Sequence, residues 1–236
     1  MLILATTTPG TPEIFASLQG EGPSAGRPSV FVRLSRCNLA CTWCDTAYTW
    51  RFTGPRAFER KANQVTLSEA DTAARILALN GNRLVITGGE PLLQAAALAR
   101  LLALLPAMHV EIETNATVAP LPALDRLVHQ YNVSPKLAHS GNATAMALIP
   151  ERLAAFAADR RAYFKFVIAM PADVSEVLAL AETYGIPRER LFLMPEGTDS
   201  ATLHTRSRWL AEICAAEGLR LSDRLHIHLY GDTRGT

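Results

Sequence analysis

Neither sign of charge dominates this sequence. Its 236 residues carry 23 basic and 22 acidic side chains, a formal net charge of +1. That supplies no broad field for a nucleic-acid backbone or an anionic membrane. A long hydrophobic run is also missing: the most apolar stretch, Leu92 to Met108, is broken by Gln94, Arg100 and Pro106 and is too short to span a bilayer. Met1 to Ala5 is apolar but lacks the basic start and the length of a signal peptide. The expectation is a cytoplasmic chain with no membrane contact and no direct nucleic-acid partner. Cysteine is scarce, four in all, and in a reducing compartment clustered thiols favour metal or redox chemistry over structural disulfides. No internal repeat or low-complexity block is present.

What remains is ample for a packed core: 49% hydrophobic and 19% charged residues, at a length that suits one sizeable domain over residues 1–236. The first 28 residues are rich in Gly, Pro, Ser and Thr and read as an irregular opening segment. After them, short apolar or β-branched runs predict strands at Val30–Leu34, Leu84–Thr87, Val110–Glu113, Tyr131–Ser134, Phe164–Ala169, Leu191–Met194 and Leu225–Tyr230. Helical patterns lie between them at Ser68–Leu79, Pro91–Leu105, Pro122–His129, Pro150–Ala158, Ala172–Tyr184 and Thr202–Glu217. Ser68 and Pro91 suit helix starts, and Gly185 and Gly218 suit helix stops. The charged and aromatic stretch Ala47–Gln64 interrupts this rhythm as an insertion or loop. Strand–helix alternation implies an α/β fold, a largely parallel sheet covered by helices. Polar groups follow nearly every strand, where parallel sheets build their sites.

The strongest local signal is Cys37-Asn-Leu-Ala-Cys41-Thr-Trp-Cys44. Three thiols in one short loop can wrap a soft metal centre. Cys214, the fourth, falls in an Ala-rich helical pattern and reads as a core residue. Three ligands without a fourth leave a coordination position open for chemistry. Other readings stand beside this one: a zinc site completed by His226 or His228, a non-catalytic electron-transfer module, or a metal hydrolase built on His226 and His228, which would share one face of a strand.

The Cys37, Cys41, Cys44 spacing resembles the radical S-adenosylmethionine superfamily, and Thr87-Gly-Gly-Glu-Pro91 resembles its glycine-rich strand end. That resemblance implies a partial (β/α) barrel, a [4Fe–4S] cluster on the three cysteines, and S-adenosylmethionine chelated by the fourth iron. Within the superfamily, Ser17-Leu-Gln-Gly-Glu-Gly22, Val32-Arg33, Cys44-Asp-Thr46, Ser134-Pro-Lys136 and the ending Leu229-Tyr-Gly-Asp-Thr-Arg-Gly235 together resemble the 7-carboxy-7-deazaguanine synthase family. The likeness runs from residue 13 to the terminus.

The family resemblance implies a lyase of queuosine and 7-deazapurine biosynthesis. It would contract the ring of 6-carboxy-5,6,7,8-tetrahydropterin to 7-carboxy-7-deazaguanine with loss of ammonia, using Mg2+ as well. It further implies an electron donor such as flavodoxin or ferredoxin, and a homodimer. By position, Thr46 would ligate magnesium, and Gly89, Glu90, Ser134, Pro135 and Lys136 would face S-adenosylmethionine. Leu18, Gln19, Gly20, Arg33, Thr87 and the terminal Thr236 would hold the pterin, with Arg33 offering a planar fork to its carboxylate. Residues 13–22 would form a substrate-binding segment. Trp43 would pack beside the adenine or the cluster, or serve packing alone. Glu13, Glu21, Glu113 and Glu196 are candidates to assist ammonia loss. Another radical enzyme or activase is the competing member of the superfamily.

Overall fold

The computed structural model describes residues 1–236 and centres on an open sheet of eleven strands. They are β1 (Leu2–Thr8), β2 (Thr11–Pro12), β3 (Ile14–Leu18), β4 (Pro28–Leu34), β5 (Gln64–Leu67), β6 (Arg83–Gly88), β7 (His109–Thr114), β8 (Gln130–Val133), β9 (Ala162–Ile168), β10 (Leu191–Pro195) and β11 (Arg220–Leu221). From β4 through β6, β7, β8, β9 and β10 to β11 every neighbour is parallel. β1 and β3 flank β4 antiparallel, and β2 and β5 pair with β1 in the same sense. The sheet does not close, as the resemblance implies for a partial barrel; the alternation alone predicts only the parallel sheet with its helices.

The helices are α1 (Arg60–Asn63), α2 (Glu69–Leu77), α3 (Ala95–Leu102), α4 (Pro122–Asp125), α5 (Thr144–Ala147), α6 (Pro150–Ala158), α7 (Ala172–Tyr184), α8 (Ser200–Glu217) and α9 (Leu225–Tyr230). Local chemistry sets their limits. Ser68 accepts from the Asp71 amide at 3.0 Å to start α2, and Asp199 accepts from Thr202 at 2.8 Å to start α8. Gly185 and Gly218 end α7 and α8 in the left-handed region. Leu84, Val85 and Ile86 of β6 are all fully buried, as a parallel strand covered on both faces requires. Tyr131, Phe164 and Phe166 fill the largest fully buried positions. No helix is long and apolar enough to cross a membrane.

Two expectations fail. The first 28 residues are not irregular: they hold three strands. Leu2 and Leu4 are fully buried against the core, and the Thr and Gly residues around them mask a short apolar alternation. Leu225–Tyr230 is not a strand but α9. This segment does not extend the sheet past β11 but packs across the carboxyl ends of the strands, where the Leu225 amide donates to the Gly20 carbonyl at 3.0 Å. Residues two apart on a helix diverge by about 200°. His226 accordingly lies 3.9 Å from Glu21, while His228 contacts Ser200 at 3.1 Å and Asp223 at 3.2 Å. The histidine pair is not a metal site.

Candidate active site

The carboxyl ends of β4, β6, β7, β8, β9 and β10 open into one cavity, roofed by α9 and the chain terminus. The loop after β4 carries the three cysteines, all free and all lining the cavity. This loop is held by backbone. Gly89 donates its amide to the Leu34 carbonyl at 3.0 Å, and Glu90 to the Arg36 carbonyl at 2.9 Å. A β-carbon on Gly89 would lie 2.0 Å from the Arg36 oxygen, and one on Gly88 2.1 Å from the Leu34 oxygen. Gly89 is therefore demanded by the cluster loop, and Gly88 by the end of β4 that leads into it.

N–H groups surround the sulfurs. Trp50 Nε1 donates to Cys44 Sγ at 3.3 Å, Asn142 Nδ2 to Cys41 Sγ at 3.2 Å, and the Leu39 amide to Cys37 Sγ at 3.5 Å. Burial pushes the Cys37 thiol up to about 11 and raises Cys41, so bound iron is needed to hold them as thiolates. No three His, Cys, Asp or Glu side chains converge on a point fit for a single ion. A four-iron cube gives each cysteine its own iron, and donors aimed at sulfur suit its charge. The triplet therefore fits a cluster better than a lone zinc. Cys214 is buried in α8, away from the cavity.

Arg33, near the end of β4, lines the same cavity. Its Nε donates to Glu13 at 2.7 Å, and Glu13, fully buried, also accepts from the Tyr48 hydroxyl at 2.8 Å. Burial works against the Arg33 charge, but Glu13 outweighs it and keeps the guanidinium protonated. With only Nε engaged, the terminal nitrogens are left for a ligand. Deeper in, Thr87 donates to Glu113 at 2.9 Å and Gln19 donates to it at 3.3 Å. Lys165 pairs with Glu21, which also accepts from Arg224 Nε at 3.0 Å. Burial opposes charge on Glu21, yet Lys165, Arg224 and His226 prevail and hold its carboxyl far below the usual range. Arg224 reaches Asp45 and the Gly197 carbonyl as well.

Leu18, Gln19, Gly20, Arg33, Thr46, Thr87, Gly89, Ser134, Lys136 and Thr236 all line the cavity with the three cysteines, as do Glu13, Glu21 and Glu113. Lys136 donates to Ser134 at 2.8 Å and sits 5.6 Å from the Trp43 ring centroid. Glu90 and Pro135 do not line it. Glu90 is fully buried, accepting from the Leu92 amide at 2.9 Å, Thr114 at 2.9 Å and the Asn115 amide at 2.7 Å, so it braces the cavity wall. Glu196 belongs to an adjoining recess, paired with Arg206. Sequence reasoning missed Tyr48, Lys165 and Arg224. A lysine inside the apolar run Tyr163-Phe-Lys-Phe-Val was a readable signal; Arg224 gave none.

Known proteins share this arrangement. Residues 32–139 match the Radical SAM superfamily. A 7-carboxy-7-deazaguanine synthase of Pyrobaculum aerophilum is 40% identical over 226 residues, 94% of this chain and 95% of that protein. One from Halobacterium salinarum is 36% identical, covering 95% of this chain and 91% of its own. This chain belongs to the 7-carboxy-7-deazaguanine synthase family. The crystal structure of QueE from Escherichia coli superposes with a TM-score of 0.67 at 26% identity, covering 95% of each chain. Streptococcus suis SuiB shares the fold alone, with a TM-score of 0.53 at 13% identity over 79% of this chain and 46% of that one. As a 7-carboxy-7-deazaguanine synthase family member, the chain is a radical S-adenosylmethionine enzyme of 7-deazapurine biosynthesis. It uses a [4Fe–4S] cluster and S-adenosylmethionine, acts on a small molecule and needs a reductant. The activase and non-catalytic readings fall away.

Proposed function

We propose that this enzyme converts 6-carboxy-5,6,7,8-tetrahydropterin to 7-carboxy-7-deazaguanine, releasing ammonia, with magnesium as a further cofactor. The observation that carries the reading is the meeting of the cysteine loop with Leu18–Gly20, Arg33, Thr87 and the chain terminus around a single cavity. Cys37, Cys41 and Cys44 would hold the cluster, and Gly89, Ser134 and Lys136 would face S-adenosylmethionine. The cofactors supply the one-electron chemistry that takes a hydrogen atom from the pterin.

The chain's own residues bind and orient. Arg33, fixed at Nε by Glu13, turns its remaining nitrogens to the substrate carboxylate as a two-pronged donor. Gln19 and Thr87, both tied to Glu113, set hydrogen-bonding groups against the pterin edge. Thr46 offers a hydroxyl to magnesium, a hard cation that takes oxygen ligands. The terminal turn and α9 close the mouth and exclude water. A single radical enzyme domain with its substrate-binding segment at residues 13–22, acting as a cytoplasmic homodimer, completes the reading.

Anaerobic turnover tests it. Iron- and sulfide-reconstituted enzyme is given S-adenosylmethionine, dithionite, magnesium and the carboxytetrahydropterin, and the products are analysed by mass spectrometry. The expected result is carboxydeazaguanine without stoichiometric loss of S-adenosylmethionine. Release of 5′-deoxyadenosine without that product would overturn the substrate and keep the enzyme class.

A further inference from the structure

The stretch from Trp50 to Lys61 lines the cavity only through Trp50 itself, yet it is strongly basic. It carries Arg51, Arg56, Arg60 and Lys61 against one acidic residue, Glu59, so it alone is more positive than the whole chain at +1. Residues 53–61 are all exposed, and none of the four cations is paired with a carboxylate. Aromatic rings support them: Arg51 lies 4.9 Å from the Trp50 centroid and Arg60 4.9 Å from that of Phe52. Such a patch attracts an acidic surface.

Its position says which kind of partner. Trp50 Nε1 donates to Cys44 Sγ at 3.3 Å. A molecule resting on Arg51 is thus one indole ring away from a cysteine assigned to the cluster, and the cluster must receive electrons from outside. We propose that the Trp50–Lys61 loop is the docking surface for the protein that reduces the cluster, an acidic one-electron carrier. One electron leaves the reduced carrier and enters the cluster, and no bond forms or breaks. The inference rests on the cluster assignment and not on the identity of the pterin.

The test compares the holoenzyme with Arg56→Glu/Arg60→Glu/Lys61→Glu, using flavodoxin, an acidic flavin protein, as the probe. Two quantities are read: calorimetric binding of oxidised flavodoxin, and the initial rate of 5′-deoxyadenosine release driven by reduced flavodoxin or by dithionite. In the wild type, binding and the flavodoxin-driven rate should fall as salt rises. Charge reversal should lower both by about tenfold or more at low salt and flatten the salt dependence. The dithionite-driven rate should be unchanged, which also shows that the variant is folded. The milder Arg56→Ala/Lys61→Ala variant should fall between. Equal flavodoxin affinity and rate in wild type and variant would overturn the proposal. So would a wild type that takes electrons from dithionite but from neither reduced flavodoxin nor reduced ferredoxin. Binding of a short RNA that is lost on charge reversal, with carrier rates intact, would reassign the patch to nucleic acid. Failure of the wild type to take up a cluster on reconstitution would overturn the cluster assignment, and this surface with it.

Discussion

Arg224 donates Nε to Glu21 across 203 residues of chain, at 3.0 Å. The same guanidinium reaches Asp45 on the cysteine loop and the carbonyl of Gly197. One side chain therefore fastens the opening segment, the cluster loop and the β10–α8 connection to the roof of the cavity. Removing it leaves Asp45 without its partner and Glu21 with Lys165 alone, and breaking a largely buried ion network of this kind costs about 3 kcal/mol. Arg224→Ala should lower Tm by roughly 6–12 °C and raise KM for the pterin. Arg224→Lys, keeping the charge but losing the fork, should recover much of the Tm and less of the KM. Wild-type values for both in Arg224→Ala would remove the fastening role.

Serine at Cys37, Cys41 or Cys44 should abolish the brown cluster absorbance and activity together, since no other cysteine can reach the cavity. Cys214→Ser should keep both and lose only a little stability, because its sulfur packs in the core. Ultraviolet–visible spectra and iron content of the four reconstituted variants decide this. Full cluster content in any of the first three would reassign that ligand.

Gly89→Ala places a methyl 2.0 Å from the Arg36 carbonyl oxygen. The obstacle is backbone, so the cysteine loop must move. Iron content after reconstitution should drop several-fold while far-ultraviolet circular dichroism stays the same. Gly185→Ala, by contrast, meets nothing within 4 Å and should leave iron content alone, although its left-handed φ of 64° costs stability.

How far these features could be read in advance depends on how locally they are encoded. The buried parallel strands announce themselves in runs such as Leu84-Val-Ile86, whose two covered faces leave no room for polar residues. Cys37, Cys41 and Cys44 carry their chemistry in their spacing. Arg224 is the opposite case: its partners lie in three remote segments, so nothing near residue 224 marks it. Leu225–Tyr230 misleads because its apolar alternation suits a half-buried strand, while its partners as a helix, Gly20 and Glu21, lie near the opposite end of the sequence. Glu90 is legible as a member of the Thr87–Pro91 motif but not as a brace, because its three donors come from Leu92, Thr114 and Asn115.

Burial, with Arg224 beside it, lowers the pKa of His226 despite the pull of Glu21. In the unfolded chain the imidazole titrates near 6.5. Below that pH the unfolded state takes up a proton that the folded state resists, so stability falls as pH drops from about 6.5 toward the lower folded value. His226→Gln removes this contribution. Its urea midpoint should fall less steeply between about pH 7 and 5.5 than that of the wild type. Parallel curves would show that His226 does not change its proton affinity on folding.

Thr46 begins the turn Ala47–Thr49, yet its side chain caps nothing there. Its hydroxyl has one neighbour, Cys44 Sγ at 3.7 Å, and faces the cavity. A hydroxyl without a structural partner, beside the cluster loop, is free to serve a cation. Thr46→Val keeps the shape and deletes the oxygen. It should raise the magnesium concentration for half-maximal turnover by about tenfold, the scale of one lost interaction of about 1.4 kcal/mol. Cluster absorbance should be intact and Tm within a degree or two, because no hydrogen bond of ordinary length is broken. An unchanged magnesium response would remove Thr46 from the site, and a large drop in Tm would give it a structural role that the geometry does not suggest.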